Sequence, residues 1–346
     1  MKNKPKVMMV GSAEKSKGGV STVIKILKNS PIWDEYECYW LETQIQDNKY
    51  IKLFYAIRSY IICFFKIKKY DIIHFHTVPD ISLLVQLPIY LLAMLWKKKI
   101  ILQLHVGNQI EDYKNSKLFQ FCIKHSDYII LLANLWVKKF NTLFNNNNIK
   151  VDYLYNAYSP VNPIDYTQRT NTIVFAAHLN SNKAYDVFLK GFKEISNQYP
   201  TWKLIIMGDG EIEKAKLLAQ KLKIEKQVIF TGYITGKEKE KYFQKASIFC
   251  MCSYKEGFPM VVIEAWAYGI PVVTTPVGGL PEVLIEKKNA LIFNFGDYVE
   301  LSKKLDTLIS SPQLRLEMSK YSQEFVKKIF SIDSIVKKLS SIYASI

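Results

Sequence analysis

Residues 253–269 read Ser-Tyr-Lys-Glu-Gly-Phe-Pro-Met-Val-Val-Ile-Glu-Ala-Trp-Ala-Tyr-Gly, and this stretch decides the fold class. The apolar run Ala246–Cys252 before it reads as a buried strand that ends in a short polar loop. Pro259 sits where a helix begins, because its missing N–H costs nothing in a first turn. Met260–Tyr268 follows as a nearly all-apolar helix, and Gly269 with Pro271 ends it. One charge, Glu264, lies inside that helix. A lone carboxylate in apolar surroundings is costly unless something pairs with it, and ligand hydroxyls would serve. Glu256 stands eight residues earlier, in the loop at the helix N-terminus. The segment thus offers backbone N–H groups and a positive helix end to an anion, flanked by two carboxylates.

The spacing strongly resembles the E-x7-E segment of the family-4 retaining glycosyltransferases, which have the GT-B fold. A bare E-x7-E is common by chance, and an ordinary strand–loop–helix with solvated carboxylates is the plain alternative. The specific part is Glu-Gly-Phe-Pro at 256–259 and Glu-Ala-x-Ala-x-Gly-x-Pro-Val-Val at 264–273. The resemblance covers nearly the whole chain and is most specific from Ile173 to Val283.

Composition is compatible with this. A chain of 346 residues is long for one core and predicts two domains. Hydrophobic residues make up 49% and charged residues 23%, as in globular proteins. Five cysteines without paired spacings provide no disulfide framework, and the absence of a signal peptide leads us to expect a cytoplasmic protein. Residues 1–150 carry 22 Lys/Arg against 11 Asp/Glu, so most of the net charge of +16 lies in this half. Such a half suits an anionic surface. Nucleic acid is set aside because no reading module is present. Residues 51–69 mix aromatics with cations, and the apolar run 81–96 ends in Lys97-Lys98-Lys99. Each run is shorter than the roughly 20 residues that span a bilayer. They read either as helices lying on an anionic membrane or as helices packed on the N-terminal sheet.

Strands alternate with helical stretches throughout, the pattern of doubly wound α/β domains. Predicted strands are 6–10, 71–76, 100–105, 128–132 and 151–155. After a linker at 156–171 come 172–176, 203–207, 227–231, 247–252, 271–274 and a weaker 291–293. Asn145–Asn148 read as a helix-ending turn. The resemblance implies two Rossmann-like domains facing a central cleft: residues 1–160 on the acceptor side and 161–322 on the donor side. A crossover helix at about 323–346 would return to the first domain.

Several short motifs carry the chemistry. Gly18 and Gly19 follow the first strand, where glycine lets backbone N–H groups approach a phosphate. The resemblance places them near the donor diphosphate. Ala177-His178-Leu179 and Lys183-Ala184 align with the family's Gly-Arg-Leu-x-x-x-Lys-Gly, which makes Lys183 a diphosphate ligand. His178 replaces an arginine, and histidine cannot give a permanent bidentate clamp. Gly208, Tyr233 beside Gly232, and Gly278-Gly279 resemble the family's nucleotide-binding turns. The same alignment assigns Gly257, Phe258 and Met260 to the donor site, Glu264 to the ribose hydroxyls, and Glu256 to the oxocarbenium-like sugar. His105 corresponds to the family histidine that contacts the donor sugar, which makes Glu256 and His105 the catalytic candidates.

The expected function is therefore transfer of a hexosyl group from a nucleotide-diphospho-sugar, with UDP favoured on family frequency, to a saccharide or lipid-linked acceptor. Bacterial surface polysaccharide synthesis on the inner face of the membrane is the expected setting. No Asp-x-Asp occurs, so no metal or other cofactor is expected. Two alternatives stand beside this reading. The departure at His178 fits a non-catalytic nucleotide-sugar binder, and His74, His76 and His105 would suit a zinc hydrolase or lyase.

Overall fold

The computed structural model describes residues 4–346 except 17, 46–47, 145–148, 159 and 163–164. The asparagine turn at 145–148 and Lys17 therefore lie outside the described residues. The chain forms two compact units, residues 1–157 with 330–346 and residues 158–329.

The first unit is built on a six-stranded parallel sheet of β1 Val7–Ser12, β2 Tyr39–Gln44, β3 Ile72–Thr77, β4 Lys99–Leu104, β5 Tyr128–Leu131 and β6 Lys150–Tyr153. Its order is β2-β1-β3-β4-β5-β6. Helices α1 Gly19–Lys28, α2 Ile32–Glu35, α3 Lys49–Lys66, α4 Ile81–Leu95, α5 Lys117–Lys124 and α6 Asn134–Phe144 connect the strands. The second unit has β7 Thr172–Ala176, β8 Lys203–Met207, β9 Val228–Gly232, β10 Ile248–Met251, β11 Val272–Thr274 and β12 Ala290–Ile292, in the order β12-β11-β10-β7-β8-β9. Its helices are α7 Tyr185–Ser196, α8 Ile212–Lys221, α9 Gly236–Lys245, α10 Met260–Ala267, α11 Tyr298–Ser310 and α12 Pro312–Ile329. The last helix, α13 Ile332–Ala344, belongs to the first unit.

Parallel strands covered on both faces read as unbroken apolar runs. Val7–Val10 and Ile248–Cys250 are such runs, and all are fully buried. β2 escaped the sequence reading because it is an edge strand of alternating burial that carries Glu42 and Gln44. The boundary of the final segment also differs from the expected one near 323. α12 continues to Ile329 in the second unit, held by buried Ser319, Ser322 and Val326. The break falls at Phe330, whose ring packs 5.2 Å from Tyr155, and Ser331 caps α13.

In each sheet the strand order reverses once, between β1 and β3 and between β7 and β10. Open α/β sheets gather ligands beyond the carboxyl ends of strands at such points. In the second unit the loops there are joined by backbone hydrogen bonds. Leu179 N donates to Asp209 O at 2.7 Å, and Gly208 N to Gly232 O at 2.8 Å. Gly208 is obligatory, because its φ is +153° and a Cβ would lie 1.7 Å from Ala177 O. Gly208→Ala should cost about 3 kcal/mol through backbone displacement. This would be read as a lower urea midpoint; a wild-type midpoint would contradict the close approach of these two turns.

Candidate functional site

The switch point of the second sheet brings the loop after β7 to the loop after β10. Asn182 joins them, donating from Nδ2 to Lys255 O at 3.0 Å and accepting from Lys255 N at 2.9 Å. Asn180 Oδ1 accepts from Lys183 N at 3.0 Å and so shapes the turn Ser181–Lys183. Ala184 sits at φ 48° in the left-handed region, which costs an L-residue roughly 1–2 kcal/mol. From the other side, Gly279 N donates to Gly257 O at 2.8 Å. Gly278 at φ +63° leaves no room for a side chain against Gly257 O, 2.4 Å from its Cβ position.

These constraints set up two ion pairs. Lys183 Nζ bonds Glu256 Oε1, with both side chains largely buried. Lys239 Nζ, from α9, meets Glu264 Oε2 at 2.5 Å. Lys239 thus partners the carboxylate that Glu264 places in an apolar helix. Glu264 lies on α10, which starts after Pro259 and has no side-chain cap. Val262 N already donates to Pro259 O at 3.1 Å, and the first two N–H groups, those of Met260 and Val261, make no loop or cap backbone bond among the described residues, as at any helix start. Phe258 is buried beneath this turn, Gly257 and Met260 are partly exposed, and Tyr233 is exposed. His178 Nδ1 pairs with Asp209 Oδ1 at 2.7 Å.

In the first unit, Gly18 caps α1 with φ +136° and, with Gly19, lines a cavity of about 680 Å³. Ser12, Ser21 and Gln44 share that lining with Leu53, Ala56 and Val85 of α3 and α4. At the carboxyl ends of β3 and β4, three imidazoles stack in a column. The His74 and His76 centroids are 4.4 Å apart, and those of His76 and His105 are 5.3 Å apart. His74 Nδ1 is 2.8 Å from Tyr343 Oη of α13, and His76 Nδ1 is 3.1 Å from His105 Nε2. Burial pushes His74 down to about 3 and His105 to about 4, and holds His76 well below the usual range, with the neighbouring imidazoles adding to the effect on His74 and His76.

This geometry corrects the zinc alternative. Nitrogens of His76 and His105 face each other across a hydrogen bond, and the Nδ1 of His74 is taken by Tyr343, so the three rings do not converge on an ion. Among the described residues no group of three or more His, Cys, Asp or Glu side chains is arranged to hold a metal.

Of the residues singled out in the sequence, Lys183 and Glu256 are in contact, and His178 borders the turn at Gly210, whose Cβ position lies 3.0 Å from His178 Cε1. Gly18, Gly19 and His105 belong to the first unit and the other donor-side residues to the second. Sequence reasoning missed Asn182, Asp209 and Lys239. A signal existed for Lys239, since a carboxylate in an apolar helix calls for a partner. None existed for the other two, whose roles depend on loops meeting.

Two wholly parallel six-stranded α/β units with these loops define the GT-B glycosyltransferase fold. Residues 163–325 match the glycosyl transferases group 1 family. An uncharacterized glycosyltransferase of Haemophilus influenzae is 34% identical over 210 residues, which cover 60% of this chain and 57% of that protein. The chain thus spans little more than half of that relative. An uncharacterized 41.2 kDa protein in the cps region of Klebsiella pneumoniae is 26% identical across 96% of this chain and 98% of its own length. The crystal structure of Anabaena HepE with UDP and glucose superimposes with a TM-score of 0.76 at 15% identity, covering 99% of this chain and 100% of that one, which shows a shared fold.

The three histidines of the column have a consequence for stability. Their folded pKa values lie below the unfolded value near 6.5, so the unfolded chain binds more protons in between. Stability is full above about pH 6.5 and is lost as pH falls towards 4. Near pH 5, His105→Gln should flatten the dependence of unfolding free energy on pH by about 1 kcal/mol per pH unit. Urea titrations from pH 7 to 4.5 measure this, and parallel curves for the two proteins would refute it.

Proposed function

We propose that this chain is a retaining hexosyltransferase that uses a nucleotide-diphospho-sugar and needs no metal. The observation that carries the reading is the Lys183–Glu256 pair at the switch point of the second sheet, with Glu264 eight residues on in α10. The match to the group 1 family supports it, as does the UDP bound in Anabaena HepE. In this reading Lys183 and the first N–H groups of α10 hold the diphosphate. Glu264 accepts from ribose hydroxyls, and the turn at Gly232–Tyr233 meets the base. His178, held by Asp209, stands where the family's arginine would meet phosphate. The C1–O bond to the diphosphate breaks while the acceptor oxygen bonds to C1 on the same face. The acceptor's proton passes to the departing phosphate oxygen. Lys183 stabilises the growing charge on the leaving group, and Glu256 stabilises the positive sugar. His105 supplies a ring nitrogen to a saccharide oxygen.

We further propose a saccharide or lipid-linked acceptor for surface polysaccharide synthesis at the cytoplasmic face of an anionic membrane. The Klebsiella relative from a cps region supports this setting. So does the outer face of α3 and α4, where Phe54, Phe64, Phe65, Ile81 and Leu84 are exposed beside Lys68 and Lys97. Among the described residues no helix is long and apolar enough to cross a membrane.

Two measurements test these roles. Ribose contacts exist in ground and transition states alike, so Glu264→Gln should mainly raise KM for the donor, whereas Glu256→Gln should mainly lower kcat. Indistinguishable effects of the two changes would remove the assignment, and donor binding without release of nucleotide by the wild-type protein would favour a binder over an enzyme. For the membrane, the wild-type chain should co-sediment with anionic vesicles and be released by salt. Phe64→Ser with Phe65→Ser, or Lys97→Gln with Lys98→Gln, should each reduce that binding. Absence of any vesicle binding at low salt would defeat the membrane proposal alone.

A further inference from the structure

The column of imidazoles in the first unit has an arrangement that determines where one proton sits. The bond between His76 Nδ1 and His105 Nε2, 3.1 Å long, needs one proton between two nitrogens. There are two ways to supply it when both rings are neutral. If His105 donates, the remaining proton of His76 sits on Nε2, an atom buried without a hydrogen-bond partner. If His76 donates, that Nε2 is a bare lone pair. An orphaned buried N–H is rarer and costlier than an under-satisfied acceptor. The second arrangement is therefore favoured. Both rings stay neutral because His76 is sealed from water and stacked between two other imidazoles.

We infer that His76 is a positioning residue that fixes His105 as the Nδ1–H tautomer, so that His105 presents a hydrogen-bond donor rather than a base. The tautomer of an imidazole is set by the bond its other nitrogen makes. The backbone holds the geometry in place: His105 N donates to Thr77 O at 2.8 Å, and Gln86 Nε2 donates to His76 O at 3.2 Å. Gly11 of β1 lies against His76, with its Cβ position 3.5 Å from His76 Cβ. His105 itself is partly exposed, and its Nδ1 makes no hydrogen bond among the described residues. The group it offers to a ligand is a neutral N–H, which selects an oxygen lone pair such as that of a saccharide hydroxyl. The identity of that ligand rests on the proposed glycosyltransferase function; the tautomer does not.

The chain has five histidines, which makes the test direct. The full-length protein is labelled with ring-15N histidine and its imidazole nitrogens are observed by NMR at pH 7.5, with assignments from His125→Gln and His178→Gln, both outside the column. The expected spectrum has a protonated Nδ1 and a bare Nε2 on His105. It also has a 15N–15N coupling across the hydrogen bond to a protonated Nδ1 of His76. A protonated Nε2 on His105, or an imidazolium there, overturns the inference. His76→Asn keeps an amide N–H near the position of Nδ1 and should preserve the tautomer. His76→Leu should release it, and retention of Nδ1–H in a folded His76→Leu would show that His76 is not the cause. Should that variant fail to fold, the coupling in the wild-type protein decides the matter. Lack of turnover with nucleotide sugars would count against the proposed function and leave this spectrum unchanged.

Discussion

The second unit depends on a reversal of strand order. β7 and β10 lie side by side, but the chain leaves them in opposite lateral directions, so the loops at their carboxyl ends have no helix between them. Lys183 and Glu256 are 73 residues apart in sequence and meet in that gap. Each would be expensive there alone, because a largely enclosed charge without a partner loses its hydration. Together they leave a cation and a carboxylate at the end of a sheet, beside the uncapped start of α10. Asn182, Gly208 and Gly278 serve this arrangement by letting backbones approach closely enough to fix it.

The first unit applies the same rule to neutral groups. Its sheet also reverses once, next to β3, and His76 ends up between β1 and β4 with almost no exposure. Imidazoles in such a place hold no charge, since burial penalises the protonated form and each neighbour would repel a second cation. The first unit thus places neutral donors and acceptors at its strand ends, whereas the second places full charges.

Much of this was legible in advance because parallel, doubly covered strands leave a local signature. Val7–Val10 and Ile248–Cys250 are apolar without alternation, and the turns after them carry glycine. The E-x7-E stretch was legible for the same reason: Pro259 starts a helix, Gly269 ends it, and Glu264 interrupts an otherwise apolar face. β2 was not legible, because an edge strand with one solvated side carries polar residues that imitate a loop. The end of α12 was not legible either, as no residue near 323 differs in helix preference from its neighbours.

The sequence by itself determined the two α/β units and the strand-loop-helix that carries Glu256 and Glu264. These follow from local periodicity and backbone sterics. Tertiary structure alone decided the partners: Lys239 for Glu264, Asp209 for His178, Tyr343 for His74 and His76 for His105. Pairing of charges and orientation of imidazoles depend on distances of a few ångströms between segments up to 269 residues apart, and no local pattern encodes such distances.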